Sequence, residues 1–251
     1  MLSEEKILEN WETFLSYVDR TGEERKEKLK QFYLKHQDHL VLMPASHKKA
    51  YHNAFPGGYI DHVNRVVEAS LKLYDVWAEM GMDRSTFTVE ELIFSAINHD
   101  LGKMGDGEKY AHIPSTDEWR KKNLGEMYSF NKEIAFMSVP DRSIFLLTQA
   151  GIEISQNEWL AIKSHDGLYD ASNEAYLKSF MPETKPRSSI IYILHQADLL
   201  AARVEFEKEW LPQFKSQQKT KDAFELKKKS PKDKALSSVK SENLSNLLKN
   251  L

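Results

Sequence analysis

Apolar and polar positions recur along most of this chain with a helical period. Ile7, Leu8, Trp11, Phe14, Leu15 and Val18 form one stripe over residues 2–19. Thr21 reads as the N-cap of a charged helix from Glu23 to about Leu40. Pro44 and the Pro56-Gly57-Gly58 run bound a loop. Ile60, Val63, Val66, Val67, Leu71, Tyr74 and Trp77 then share one side of a helix over 60–80, stopped by Gly81. Thr88 and Glu91 make a capping box for a helix from Val89 to about Leu101, and Ser155 and Glu158 make another for 156–166. Helices are also expected over 141–150, before Gly151, and from about Ser188 to Trp210, before Pro212. Residues 102–131, with glycines at 102, 105, 107 and 125, predict a long excursion with little regular structure. Neither a strong strand alternation nor an internal repeat is found. The expectation is an all-α domain over 1–212, followed by a tail, 213–251.

Composition narrows this picture. The chain has 251 residues, 41% hydrophobic and 29% charged, which is the make-up of a globular protein able to bury a core without staples. It contains no cysteine, which excludes disulfides, thiolate metal sites and a thiol nucleophile. The acidic, amphipathic start lacks the apolar stretch of a signal peptide, and the longest apolar run, Ile190–Leu194, is five residues. A cytoplasmic protein without a membrane segment is expected.

The net charge of −3 is unevenly spread. From Lys215 onward there are 10 lysines against 4 acidic residues, whereas the preceding residues carry 25 basic and 34 acidic groups. A basic tail can touch nucleic acid or simply stay solvated. The acidic body is poorly suited to displace counterions from a duplex. At the very end Leu244, Leu247, Leu248 and Leu251 mark one face of a short helix over 241–251. That segment either docks on its own domain or on a second copy, or serves as a tethered peptide for a protein partner.

The candidate chemistry sits where the helices end. His62 lies near the start of the 60–80 helix. His99-Asp100 and His165-Asp166 close two others, and His195 and Asp198 lie three apart in an apolar helix. A single helical histidine is usually structural. Several imidazoles and carboxylates set in apolar helices are costly to bury without partners, and together they suit a divalent transition metal: Mn, Fe, Co, Ni or Zn.

Three stretches give that order a further meaning: Tyr-His-Asn-Ala-Phe-Pro-Gly-Gly-Tyr-Ile-Asp-His, His-Asp-Leu-Gly-Lys and Leu-His-Gln-Ala-Asp. Over about residues 51–205 the chain resembles the HD superfamily of metal-dependent phosphohydrolases, which place H…HD…D on an all-helical core. The resemblance implies an HD-like helical bundle in which His62, His99, Asp100 and Asp198 hold the metal. Relatives often carry two further histidines. His165, in His-Asp-Gly, matches one, Val139 stands where the other is expected, and His112 is an alternative second-metal or phosphate ligand from the excursion.

In this reading Asp100 binds metal and orients water, with Lys103 beside it in the catalytic set. Lys103, Arg142 and Arg65 are candidate phosphate clamps, and His195 would hold the Asp198 carboxylate. The leading functional expectation is a phosphohydrolase acting on a nucleotide or other small phosphoester. A 3′–5′ exonuclease, and a non-catalytic metal-binding interaction protein, are the alternatives.

Overall fold

The computed structural model describes residues 2–216, so the leucine-bearing segment 241–251 and most of the Lys-rich tail lie outside the described residues. The chain divides after Phe206 into two units, 1–206 and 207–251, rather than at residue 212. The first unit is mostly helical. Its elements in chain order are α1 (Glu4–Val18), α2 (Lys26–Lys35), α3 (Gln37–Leu40), α4 (Gly58–Glu79), α5 (Val89–Asn98), β1 (His112–Pro114), α6 (Glu118–Leu124), β2 (Tyr128–Phe130), α7 (Val139–Gln149), α8 (Gln156–Ser164), α9 (Glu174–Leu177) and α10 (Ile190–Glu205). No helix among the described residues is long and apolar enough to cross a membrane.

The bundle is built around α4, which packs along α10, α5 and α1, while α8 closes the far side against α10 and α5. The stripe read from the sequence is the reason. Ile60, Val63, Val66, Val67 and Tyr74 are buried, with Leu71 and Trp77 packed at the margin. Both capping boxes are formed, each side chain and backbone satisfying the other, so α5 and α8 begin where their sequences start them.

Three expectations are corrected. Thr21 does not open a helix: it is buried and its hydroxyl donates to the Val18 carbonyl (2.8 Å), finishing α1. The 23–40 helix begins only at Lys26 and breaks at His36 into α2 and α3. The excursion is also ordered. After a 3₁₀ turn at Leu101–Met104, β1 and β2 pair antiparallel, His112 opposite Phe130, with α6 between them. Three-residue strands are too short for an alternating pattern to be visible in sequence. The hairpin is tied to the 44–53 loop, where the His47 carbonyl accepts from the amides of Met127 (3.0 Å) and Tyr128 (3.2 Å).

Past residue 206 the backbone is helical over 211–216, so Pro212 lies inside a helical stretch rather than ending one. In the second unit Trp210 stacks on Phe214.

Gly58 and Gly102 are among the glycines fixed by close approach. A Cβ at Gly58 would lie 2.2 Å from the Asn53 carbonyl oxygen, and one at Gly102 would lie 2.2 Å from that of Val139. The second pins α7 against the turn after α5. Gly102→Ala should therefore destabilise the fold by about 1–3 kcal/mol, in the range of overpacked sites. The expected reading is a melting temperature lowered by several degrees, and an unchanged melt would show that α7 can yield.

Candidate metal centre

Four helices deliver the site, three near their ends and α10 from its middle. His62 lies in the first turns of α4, His99 caps the C-terminus of α5 with Asp100 beside it, His165 caps α8, and Asp198 projects from α10. His62 Nε2 is 3.1 Å from Asp198 Oδ1 and 3.7 Å from Asp100 Oδ2. His99 Nε2 is 3.4 Å from that same Asp100 oxygen and 3.8 Å from Asp198 Oδ1. On the other side, His165 Nε2 is 3.6 Å from Asp100 Oδ1 and 3.7 Å from Asp166 Oδ1. The two oxygens of Asp100 thus face different histidines.

Each imidazole is aimed by its far nitrogen. His99 Nδ1 donates to the Ala96 carbonyl at 2.7 Å, and His165 Nδ1 donates to that of Ile162 at 2.8 Å. His62 Nδ1 donates to the Glu205 carboxylate at 3.1 Å. With Nδ1 protonated, Nε2 carries the lone pair and points inward in all three. The Nε2 atoms of His62 and His99 are buried without a hydrogen-bond partner. Buried polar atoms are seldom left so, and two converging lone pairs beside two carboxylates form a donor set that a divalent cation satisfies. The ligand atoms of His62, His99 and Asp198 lie within 4.8 Å of one another, as do those of His99, Asp100 and His165. These residues could hold a metal ion.

Supporting contacts reach outward from this set. Glu205, buried, also accepts from Arg65 Nε at 2.9 Å, and Arg65 binds Asp61 at 3.0 Å. Asp61 in turn accepts from Asn10 and Asn53, which locks α4 to α1 and to the loop before it. Ser143 of α7 donates to the His99 carbonyl (3.1 Å) and accepts from the Gly102 amide (2.8 Å), fixing the turn that carries Asp100. Lys103 Nζ donates to Asp100 Oδ2.

Not every candidate is placed as the sequence suggested. His195 donates to the His165 carbonyl at 2.7 Å rather than to Asp198, so it steadies the α8 turn. It also packs on Gly167, where a Cβ would come within 2.2 Å of its ring. Arg65 is engaged by two carboxylates. Arg142 donates to the carbonyls of Ala135 (2.8 Å) and Gly102 (3.4 Å). His112 stands in the hairpin, where the Lys103 carbonyl lies beside its ring.

Two residues escaped the sequence reading. His52 has its ring centroid 4.6 Å from that of His62, an unpartnered buried Nε2, and a place in a third triad with His62 and Asp100. It lay inside a quoted motif, ten residues before His62, and that spacing was the available signal. Glu205, seven residues after Asp198 and two turns along α10, had no motif at all.

Electrostatics follow from the crowding of carboxylates. Burial alone would push the His62 imidazole down, but Glu205 and Asp198 push it up to about 10. For His165, burial is likewise overcome, by Asp100 and Asp166, and it is pushed up to about 9. Asp100, although buried, is held well below the usual carboxylate range by Lys103 and His99, and Asp198 is lowered by His62 and His99 despite its burial. The carboxylates demand positive charge, and protons supply it when nothing else does.

Stability of the metal-stripped protein should therefore carry a histidine signature. The contribution of protonated His62 and His165 is fully present below about pH 6.5, the unfolded value, and is lost as pH rises through about 9 and 10. Denaturant unfolding of chelator-treated protein should show stability falling across that window. Added Mn²⁺, replacing the protons, should flatten the fall and release protons on binding. A pH-independent stripped protein would refute this account.

Comparison with known proteins adds no relative: no family model, no curated protein and no solved structure matches the chain.

Proposed function

We propose that this protein is a metal-dependent phosphohydrolase acting on a nucleotide or another small phosphoester, within the HD superfamily its sequence resembles. The observation that carries the reading is the pair of buried, unpartnered Nε2 atoms of His62 and His99, converging with Asp100 and Asp198 from α4, α5 and α10. His62, His99, Asp100 and Asp198 would hold the cation. His52 and His165 are each grouped with Asp100 in a further triad. A bound divalent metal lowers the pKa of water and polarises a phosphoryl oxygen, which is what hydrolysis at neutral pH requires.

The chain's own residues do the rest. Glu205 holds His62 in the tautomer that leaves Nε2 free. Ser143 holds the turn that aims Asp100. Lys103, paired with Asp100, supplies a fixed positive charge for a phosphoryl oxygen. The His165 imidazole turns its Nε2 toward the other oxygen of Asp100, held there by the bond from Nδ1 to the Ile162 carbonyl. Arg65 serves Glu205 and Asp61 in this scheme, and Arg142 braces the 135–142 approach to the turn.

The test is metal analysis of purified protein followed by a panel in Mn²⁺: nucleoside mono-, di- and triphosphates, cyclic nucleotides, base-free sugar phosphates and a short oligoribonucleotide, scored for phosphate, pyrophosphate and triphosphate. Turnover of a nucleotide or small phosphoester is the expected result, and terminal shortening of the oligonucleotide alone would favour the exonuclease instead. Metal bound without turnover of any member would leave only a binding protein.

A further inference from the structure

The hairpin and the 44–53 loop bring four rings together near Lys103. His112 and Phe130 are cross-strand partners with ring centroids 5.1 Å apart. His47 packs against both, 5.1 Å from Phe130 and 6.4 Å from His112, its ring within 18° of parallel to the latter. Tyr51 meets His47 edge-on at 5.2 Å.

Several features make this more than packing. Phe130 is 59% exposed and Tyr51 50% exposed, so the ring faces are left open rather than buried in one another. His112, only 7% exposed, has a buried Nδ1 with no hydrogen-bond partner. The cluster also borders the candidate metal centre, since Lys103, bonded to Asp100, has its carbonyl beside the His112 ring and its charge felt by both His112 and His47. Burial pushes His112 down to about 4 and lowers His47, while the open ring faces are those of Phe130 and Tyr51.

We propose that His47, Tyr51, His112 and Phe130 form the subsite for the planar base of a nucleotide whose phosphate lies at Lys103 and Asp100. The proposal rests on the phosphohydrolase reading and names its substrate class. Stacking on exposed aromatic rings tolerates any base, because every base has a π face. The unpartnered His112 Nδ1 is a polar group that a base edge can satisfy, which a bare sugar phosphate cannot.

The experiment compares the nucleotide turned over best in the panel with its base-free counterpart, ribose 5-phosphate for a monophosphate or ribose 5-triphosphate for a triphosphate. Both kcat/KM and calorimetric affinity are measured on the Mn²⁺-loaded full chain. The wild type should favour the nucleotide at least tenfold. Phe130→Ala should erase about ten- to hundredfold of that preference, with constants for the base-free substrate unmoved. Phe130→Leu keeps apolar packing but removes the aromatic face, and should behave as Phe130→Ala. Equal handling of both substrates by the wild type, or an undiminished preference in Phe130→Leu, overturns the base subsite while leaving the phosphohydrolase standing. If no nucleotide is hydrolysed at all, the subsite falls, and turnover of the base-free phosphates alone decides whether the phosphohydrolase reading stands.

Discussion

Asp100→Ala should abolish phosphate release and lower the bound-metal stoichiometry of the purified protein. Asp100 faces His62, His99 and His165 through two different oxygens, at 3.7, 3.4 and 3.6 Å. Its loss removes a ligand shared by these groups. It also leaves the Lys103 ammonium without its partner, and breaking a buried pair this way costs about 3–5 kcal/mol. Asp100→Asn keeps the shape but not the charge. It should fold more stably than the alanine variant and still show at least a thousandfold loss of turnover, since metal-assisted hydrolysis needs the anionic ligand. Metal content is measured by elemental analysis and turnover at saturating Mn²⁺. Wild-type rates in Asp100→Asn under that condition would refute the mechanism.

The second large effect is expected at Glu205, which touches no ligand position directly. Glu205→Gln should weaken metal affinity about 10- to 100-fold, the range seen when an outer carboxylate that aims a histidine is lost. The glutamine can still accept from His62 Nδ1, but it no longer carries the charge that pushes that imidazole up. Raised metal concentration should therefore restore activity in Glu205→Gln, with kcat nearly recovered. Asp100→Ala should not be rescued in that way. A titration with Mn²⁺, read both by binding and by turnover, separates the two behaviours. If Glu205→Gln binds metal as tightly as the wild type, the carboxylate only packs.

Much of the helical framework was legible because its signals are local. The α4 stripe and the two capping boxes each involve residues within one or two turns, and a helix repeats that geometry wherever it occurs. The histidines and aspartates stood out for the same reason: polar residues at the ends of apolar helices. The hairpin at 112–130 was not legible, since its pairing joins residues eighteen apart and its anchor, the His47 carbonyl, lies sixty-five residues before His112. His195 was assigned to Asp198 by helical spacing alone. The actual acceptor, the His165 carbonyl, belongs to another helix end.

By itself the sequence determined that the chain would be mostly helical, where its long helices would run, and which side chains could ligate a cation, because propensity, capping and periodicity act over a few residues. Only the tertiary structure decided which nitrogen of each histidine faces inward, that Glu205 and Arg65 stand behind His62, that His52 joins the cluster, and that the 102–131 excursion folds into a ring-bearing hairpin beside Lys103. Those outcomes depend on contacts between segments distant in sequence. Their geometry is set by how α4, α5, α8 and α10 pack, and no local pattern encodes it.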